Sequence, residues 1–189
     1  MRSRSRSSSI MRSRSRSSSG FTLIELLVTI AVAAVLGMVA VPSFLEYRRN
    51  SELSHTVSNL IVAAGSAKSA ALKSGRNAFV QVNNTATGWR SGWFVFVDNN
   101  WDNDYDEGTD EVVMRQEPLS TDVTVSASTA SFTAGYLMFN GAGFPRLKAG
   151  GTGNGTLTLA TSSRSSNVIV DGSGRLRSCK VGTSGCTAL

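Results

Sequence analysis

The hydrophobic positions of this chain follow three patterns in succession. Residues 21–41 are apolar apart from one charged residue and two threonines. From about residue 50 the apolar positions recur every three or four residues, which is the spacing of an amphipathic helix. That set comprises Leu53, Val57, Leu60, Ile61, Ala64, Ala67 and Ala71. After Asn77 the spacing becomes two, which indicates strands.

These patterns predict a helix from about residue 22 to residue 74, apolar on all sides in its first half. Pro42 lacks an N–H group and crowds the preceding turn, so we expect it to bend or loosen the helix locally. Gly75 is a favourable stop. The amphipathic second half should pack against a globular head.

The predicted strands are separated by clusters of Gly, Asn, Asp and Ser, which favour turns between antiparallel strands. They are residues 79–82, 92–97, 111–115, 123–126, 137–140, 156–161, 168–170 and 175–179. Because the helix precedes the strands and does not alternate with them, the predicted fold class is α+β, a long N-terminal α-helix packed on an antiparallel β-sheet head. The same order, without βαβ alternation, argues against a doubly wound nucleotide-binding fold.

The first 19 residues contain only Met, Arg, Ser and one Ile, a composition that cannot form a core. Residues 1–9 are repeated as residues 11–19, so either Met1 or Met11 is the start. Six of the 19 basic residues lie in this segment, which leaves 13 basic and 13 acidic residues in the rest of the chain. A basic surface over the whole protein is therefore excluded.

The apolar run is long enough to span a bilayer as a helix, which takes about 20 residues. Basic residues before such a span stay in the cytoplasm, so the chain after Val41 would cross the membrane. Glu25 is the exception within the run. A carboxylate in a span costs about 2.5–3.5 kcal/mol on insertion scales, and its presence therefore indicates a function.

Gly20, Phe21, the apolar run and Glu25 together resemble the class III signal of type IV prepilins and pseudopilins. The resemblance implies that a prepilin peptidase cuts between Gly20 and Phe21 and methylates the new amino terminus. It also implies that Glu25 neutralises the terminal amine of a neighbouring subunit, since a costly buried charge becomes tolerable in a pair.

The expected organisation is a cleaved leader at residues 1–20, a transmembrane and filament-core helix at residues 21–49, and a head at residues 50–189. The head would be periplasmic, and the protein would cross the inner membrane once. The partners implied are the prepilin peptidase, other pilins and the inner membrane.

A second resemblance lies in the middle of the chain. Trp89, the stretch at residues 92–98, an Asn- and Asp-rich loop and residues 111–113 look like the FimT/GspH branch of pilin-like proteins. The aromatic residues Trp93, Phe94 and Phe96 are expected to pack in the core and on the faces of the sheet.

Nine acidic residues lie between residues 98 and 122, with Arg115 as the one basic residue. Asn100, Asp102, Asp104 and Glu111 follow the spacing of an EF-hand loop, but Tyr105 stands where that loop needs glycine. A solvated hairpin loop is the favoured interpretation, and calcium binding is the alternative. No metal site or cofactor is predicted.

Cys179 and Cys186 allow a single intramolecular pairing. On the far side of the membrane they would meet an oxidising compartment, so we expect a disulfide. The lone histidine, His55, has no nucleophile or carboxylate placed beside it by the sequence, and no phosphate loop or nucleophile elbow is present. The sequence therefore does not predict an enzyme.

The last third of the chain is basic, and it contains the stretch Gly174-Arg175-Leu176-Arg177. This stretch resembles the carboxyl-terminal Gly-Arg-x-Arg motif of FimT proteins, which bind DNA during natural transformation. In an extended segment Arg175 and Arg177 share a face about 7 Å apart, and with Lys180 they would contact phosphates. Solubilising arginines, or a contact with a filament neighbour, are the alternatives.

These observations predict a FimT-like minor pilin of a type IV pilus that binds DNA for uptake. A FimU-like priming pilin without a DNA role, and a GspH-type minor pseudopilin of a type II secretion system, are the alternatives.

The signal at Gly20 generates the first testable prediction. Mass spectrometry of the mature protein should find N-methylated Phe21 as its first residue, because the peptidase cuts after the glycine and methylates the new terminus. A mature chain that retains the arginine–serine leader would contradict it.

Overall fold

The computed structural model describes residues 20–186. The repeated leader and the two candidate starts, Met1 and Met11, lie outside the described residues. The chain divides into two units at Pro42, with residues 1–42 in the first and residues 43–189 in the second.

One helix, α1 (Leu23–Ser74), includes residues of both units. It begins after Thr22, whose side-chain oxygen accepts a hydrogen bond from the Glu25 N–H at 3.3 Å. It ends before Gly75, which has a φ of 69°, a conformation that glycine adopts without steric cost. The predicted bounds are confirmed to within one residue, and the helix continues through Pro42.

In the first unit, the described large apolar side chains from Phe21 to Val41 are all exposed. By length and composition, α1 is long and apolar enough to cross a membrane.

In the second unit the described strands form two antiparallel sheets. The order is β3-β2-β1-β5-β6 in the first sheet and β4-β7-β8-β9 in the second. The bounds are β1 Ala78–Val82, β2 Trp93–Val97, β3 Glu111–Gln116, β4 Thr124–Ala127, β5 Tyr136–Phe139, β6 Pro145–Arg146, β7 Gly155–Ala160, β8 Ser165–Val170 and β9 Leu176–Lys180.

All eight predicted strands are present, with ends that move by at most three residues. The structure adds three short elements: a 3₁₀ turn at Gly88–Ser91, a one-turn helix α2 at Ala130–Thr133, and β6. A strand of two residues shows no alternation, and a helical element of four residues makes little more than one turn, so the pattern could not predict them.

The main core lies between the second half of α1 and both sheets. Six of the seven residues predicted on the apolar face of α1 are buried there, and Ile61 is partly buried against them. Ala63, which was not predicted, is fully buried. Trp93 and Val95 of β2 face this core, together with Leu157 and Val168 of the second sheet.

The opposite face of the first sheet is also covered. Phe79, Phe94, Phe96 and Met138 form a second buried cluster there. Tyr105, from the loop between β2 and β3, closes it with ring centroids 5.0 Å from Phe94 and 5.3 Å from Phe96. The prediction of core and sheet-face packing for the aromatic strand β2 is confirmed.

Asp98 holds that loop in place. It is fully buried, and its two carboxylate oxygens accept hydrogen bonds from the N–H groups of Trp101 at 2.6 Å and Asn103 at 3.0 Å. Both donor residues have positive φ, at 68° and 66°. The carboxylate therefore fixes the turn that brings Tyr105 over the aromatic cluster.

Asp98→Asn should lower the free energy of unfolding by about 1.5–3 kcal/mol, since one of two hydrogen bonds to a buried charge is lost and an amide NH₂ then faces a backbone donor. The matched control is Asp122→Asn, whose exposed pair with Arg49 spans 3.4 Å and should cost less than about 1 kcal/mol. Chemical unfolding checks both. Equal losses in the two variants would contradict this role of Asp98.

Candidate functional site

The start of α1 carries the residues of the predicted processing signal. Gly20 and Phe21 are exposed, and a side chain added at Gly20 would meet open space. Nothing in the described fold therefore requires glycine at that position. Glu25 is exposed as well and has no ion-pair partner among residues 20–186.

The hydrogen bond between Thr22 and the N–H of Glu25 gives the glutamate a local role that the sequence analysis missed. A threonine followed three residues later by glutamate is the pattern of a capping box. A carboxylate in the first turn also interacts favourably with the helix dipole. The Thr-x-x-Glu spacing was visible in the sequence as a signal for this cap.

The predicted arginine motif falls in the turn between β8 and β9. Gly174 is buried with a φ of 76°, and its carbonyl accepts a hydrogen bond from the Lys68 ammonium at 2.8 Å. A Cβ at this position would lie 2.5 Å from the Gly143 carbonyl oxygen. The fold by itself accounts for this glycine.

Arg175 is exposed just before β9, whereas Arg177 is half-buried within the strand. The Arg177 guanidinium donates a hydrogen bond to the Gly185 carbonyl at 3.2 Å. Leu176 packs against the main core. In the described residues neither arginine has a carboxylate partner.

Lys180 does not share the side of Arg177. The two residues lie three positions apart in a regularly paired strand, so they face opposite sides of the sheet. Lys180 lines a cavity against α1 instead. The grouping of Lys180 with the two arginines is therefore corrected, because an odd separation along a strand reverses the face.

The predicted disulfide between Cys179 and Cys186 is present, with a Cα–Cα distance of 5.7 Å. It closes the short loop whose Gly185 carbonyl accepts the hydrogen bond from Arg177. The disulfide loop thus helps to position that arginine.

Lys148 belongs to the acidic loop rather than to a basic surface. Its ammonium lies 3.7 Å from the Asp104 carboxylate and over the rings of Phe79 and Tyr136, at 5.4 Å and 5.3 Å. Lys148 is therefore paired. In the carboxyl-terminal third, Arg175 and Arg177 are two arginines that lie close in sequence and have no acidic partner in the described chain.

The acidic loop is organised by its own hydrogen bonds. The Asn100 amide donates to Asp102 and Asp106, each at 2.8 Å. The Asp104 N–H holds the pKa of Asp102 below its usual value. For Asp106, the hydrogen bond from the Asn100 amide lowers the pKa, but the side-chain contact between Asp106 and Asp102 and the charge of Asp102 outweigh it. The pKa of Asp106 is therefore raised overall.

The loop whose spacing echoes an EF-hand has an aromatic contact at the position of the required glycine. Tyr105, at the position where that loop needs glycine, packs on Phe94 and Phe96. Within residues 20–186, no group of three or more His, Cys, Asp or Glu side chains is placed to hold a metal ion.

Comparison with known proteins gives two family matches. Residues 56–174 match the model described as type II transport protein GspH, and residues 15–41 match the prokaryotic N-terminal methylation motif. The second range contains Gly20, Phe21 and Glu25. The first range ends at Gly174, just before Arg175. No curated protein matches the chain.

Two solved structures share the fold. The type IV minor pilin FimU of Pseudomonas aeruginosa matches with a TM-score of 0.52 and 13% identity, over 69% of this chain and 90% of that one. The minor pseudopilin EpsH of the Type 2 Secretion System of Vibrio cholerae matches with a TM-score of 0.52 and 14% identity, over 70% of this chain and 99% of that one. The likeness confirms the predicted α+β fold, a long N-terminal helix with antiparallel sheets.

Proposed function

Because this chain belongs to the GspH family of pilin-like proteins, we propose that it is a FimT-like minor pilin that joins a type IV pilus and binds DNA through Arg175 and Arg177. Its role as a minor pilin or pseudopilin, and not as an enzyme, follows from the family matches. The DNA-binding part rests on Arg175, exposed in the turn before β9, and on Arg177, half-buried within that strand.

The N-terminal part of the proposal is processing and membrane anchoring. The methylation motif implies a prepilin peptidase as a partner, acting between Gly20 and Phe21. Residues 1–20 would be the leader, residues 21–49 the inner-membrane and filament-core helix, and residues 50–189 the periplasmic head. Exposure of every described large apolar side chain from Phe21 to Val41 supports this division, since such a surface needs lipid or neighbouring helices around it.

Glu25 has two possible roles, capping its own helix and pairing with the amine of a neighbouring subunit. Substitution can separate them. Gln keeps the capping-box pattern without the charge, so Glu25→Gln should prevent filament incorporation as fully as Glu25→Ala if the pair is what matters. Neither change should impair membrane insertion, because both remove a charge from an apolar segment.

The matched control is Thr22→Ala, which removes the cap at a cost of about 1 kcal/mol and leaves the carboxylate in place. This variant should still enter filaments. The measurement is the amount of each variant in sheared pili relative to the membrane fraction. Recovery of Glu25→Gln at the wild-type level would overturn the pairing role.

The DNA proposal depends on charge that the described fold leaves uncompensated. A single hydrogen bond to the Gly185 carbonyl positions the Arg177 guanidinium but does not neutralise it. Arg175 next to it is exposed. Guanidinium groups make bidentate phosphate contacts without base readout, so binding would be independent of sequence. Lys180 faces the other side of β9 and is not counted in this surface.

A second candidate is a minor pseudopilin of a type II secretion system. The name of the matching family and the coverage of 99% of EpsH favour it. A FimU-like priming pilin, which would act in filament assembly without a DNA role, is a further candidate. Neither needs DNA binding, so a DNA titration separates both from the proposal above. The neighbouring genes, for competence and pili or for secretion, separate them as well.

The DNA titration uses the processed chain, which begins at Phe21 and lacks the six arginines of the leader, in a non-ionic detergent. Log affinity for duplex DNA against log salt should have a slope near −2, at about −0.9 for each of two neutralised phosphates. Arg175→Gln and Arg177→Gln should each flatten the slope by about one unit. Arg90→Gln is the matched control, because that arginine is exposed in the 3₁₀ turn Gly88–Ser91 beside the first sheet, and it should leave the slope unchanged. The absence of salt-sensitive binding at low ionic strength would overturn the DNA-uptake proposal and leave a structural role as a minor pilin or pseudopilin.

A further inference from the structure

A small cavity of about 270 Å³ lies between α1 and the strands β8 and β9. Two basic side chains, Arg164 and Lys180, line it. The hydroxyl-bearing residues around it are Ser54, Ser58, Ser166 and Ser178. No acidic residue is among the described residues that line it. The cavity therefore combines two positive charges with hydroxyl donors.

Arg164 carries an unsatisfied group. Its Nε is fully buried and has no hydrogen-bond partner among the described residues. Its Nη1 reaches only a long 3.5 Å contact with the Ser54 hydroxyl. Buried donors in proteins are nearly always paired, and leaving one on a charged group unpaired is costly. An acceptor in the cavity would satisfy it.

The backbone around Arg164 is held in place before any ligand binds. The Arg164 carbonyl accepts a hydrogen bond from the Thr161 N–H at 2.8 Å. The hydroxyls of Thr161 and Ser163 lie 3.2 Å and 3.3 Å from the Asn50 side-chain oxygen on α1. The turn before β8 is thus tied to the helix, and this tie fixes the base of the Arg164 side chain.

The serines supply further donors. Ser166 is 6% exposed, and its hydroxyl makes no hydrogen bond with another described residue. Ser58 and Ser178 are exposed, and their hydroxyls likewise make no hydrogen bond with another described residue. Ser54 donates to the Asn50 carbonyl at 3.0 Å, which leaves its oxygen free to accept from Arg164. Hydroxyls beside guanidinium and ammonium groups are suited to an oxyanion with several acceptor oxygens.

We propose that this cavity binds an oxyanion of the phosphate class, held by Arg164 and Lys180 with serine hydroxyls from α1 and both strands. The site is separate from the proposed DNA surface, because Lys180 and Arg177 face opposite sides of β9. It also gives a role to Lys180, which that surface does not use.

The test is thermal unfolding of the full chain in a non-ionic detergent, with inorganic phosphate compared with chloride at equal ionic strength. A ligand that binds only the folded state raises the melting temperature by mass action, and tens of millimolar phosphate should give a shift of a few degrees. Arg164→Gln should abolish the shift, and Lys180→Gln should reduce it. Arg146→Gln, a matched change outside the cavity, should keep it.

Lys180 is exposed, so its variant remains informative even if Arg164→Gln lowers basal stability. No shift beyond that of chloride would mean that water alone occupies the cavity, and would overturn the proposal. A shift that persists in both cavity variants would show that phosphate binds elsewhere, and it would also overturn the proposal. These results leave the DNA titration with the Arg175 and Arg177 variants unaffected.

A parallel arm with dimethyl phosphate distinguishes the source of the group. A shift with both compounds, each lost in Arg164→Gln, assigns the site to phosphodiesters such as those of nucleic acids. A shift with inorganic phosphate alone assigns it to the free ion. Both outcomes support the oxyanion site.

Discussion

The structure of the second unit depends on one helix face that contacts two sheets at once. Ala63, Ala64, Ala67 and Ala71 present only methyl groups, and all are buried in the core that residues of both sheets complete. Because these side chains are small, large side chains of the two sheets, such as Trp93 and Leu157, fill the rest of this core. Beside the start of this face, the exposed residues Ser54 and Ser58 line a polar cavity together with residues of the second sheet.

The acidic loop follows from the second face of the first sheet. Alternation along β2 sends Trp93 and Val95 to the main core and Phe94 and Phe96 to the other side, so an apolar surface remains there to be covered. The loop after β2 covers it with Tyr105, and buried Asp98 fixes the loop's path. Much of the acidity in the middle of the chain therefore serves local structure, and Lys148 is used in balancing it.

Other charged side chains of this protein have no partner of opposite charge in the described chain. Glu25, in the first turn of an exposed apolar helix, has a cap but no described counter-charge. Arg175 and Arg177 are likewise without a carboxylate partner in the described chain, and Arg164 has a buried donor without an acceptor. Unpaired charge is costly where water is excluded, as it is around the buried Arg164 Nε. The same cost would arise at the exposed Glu25 and Arg175 once a further subunit or ligand covers them, unless it brings an opposite charge.

The sequence by itself determined the local features, because hydrophobic period and turn residues act over a few positions. The hydrophobic period and the turn residues predicted α1 to within a residue, all eight longer strands and the apolar face of the helix. The presence of two cysteines predicted the Cys179–Cys186 pair. The short β6 and α2 had no period to show. Only the tertiary structure decided that Tyr105 closes an aromatic cluster, that Lys148 turns to the acidic loop and that Lys180 lines a cavity with Arg164 rather than a surface with Arg177. Those outcomes depend on which segments pack together, and contacts between residues distant in the chain leave no periodic trace in its sequence.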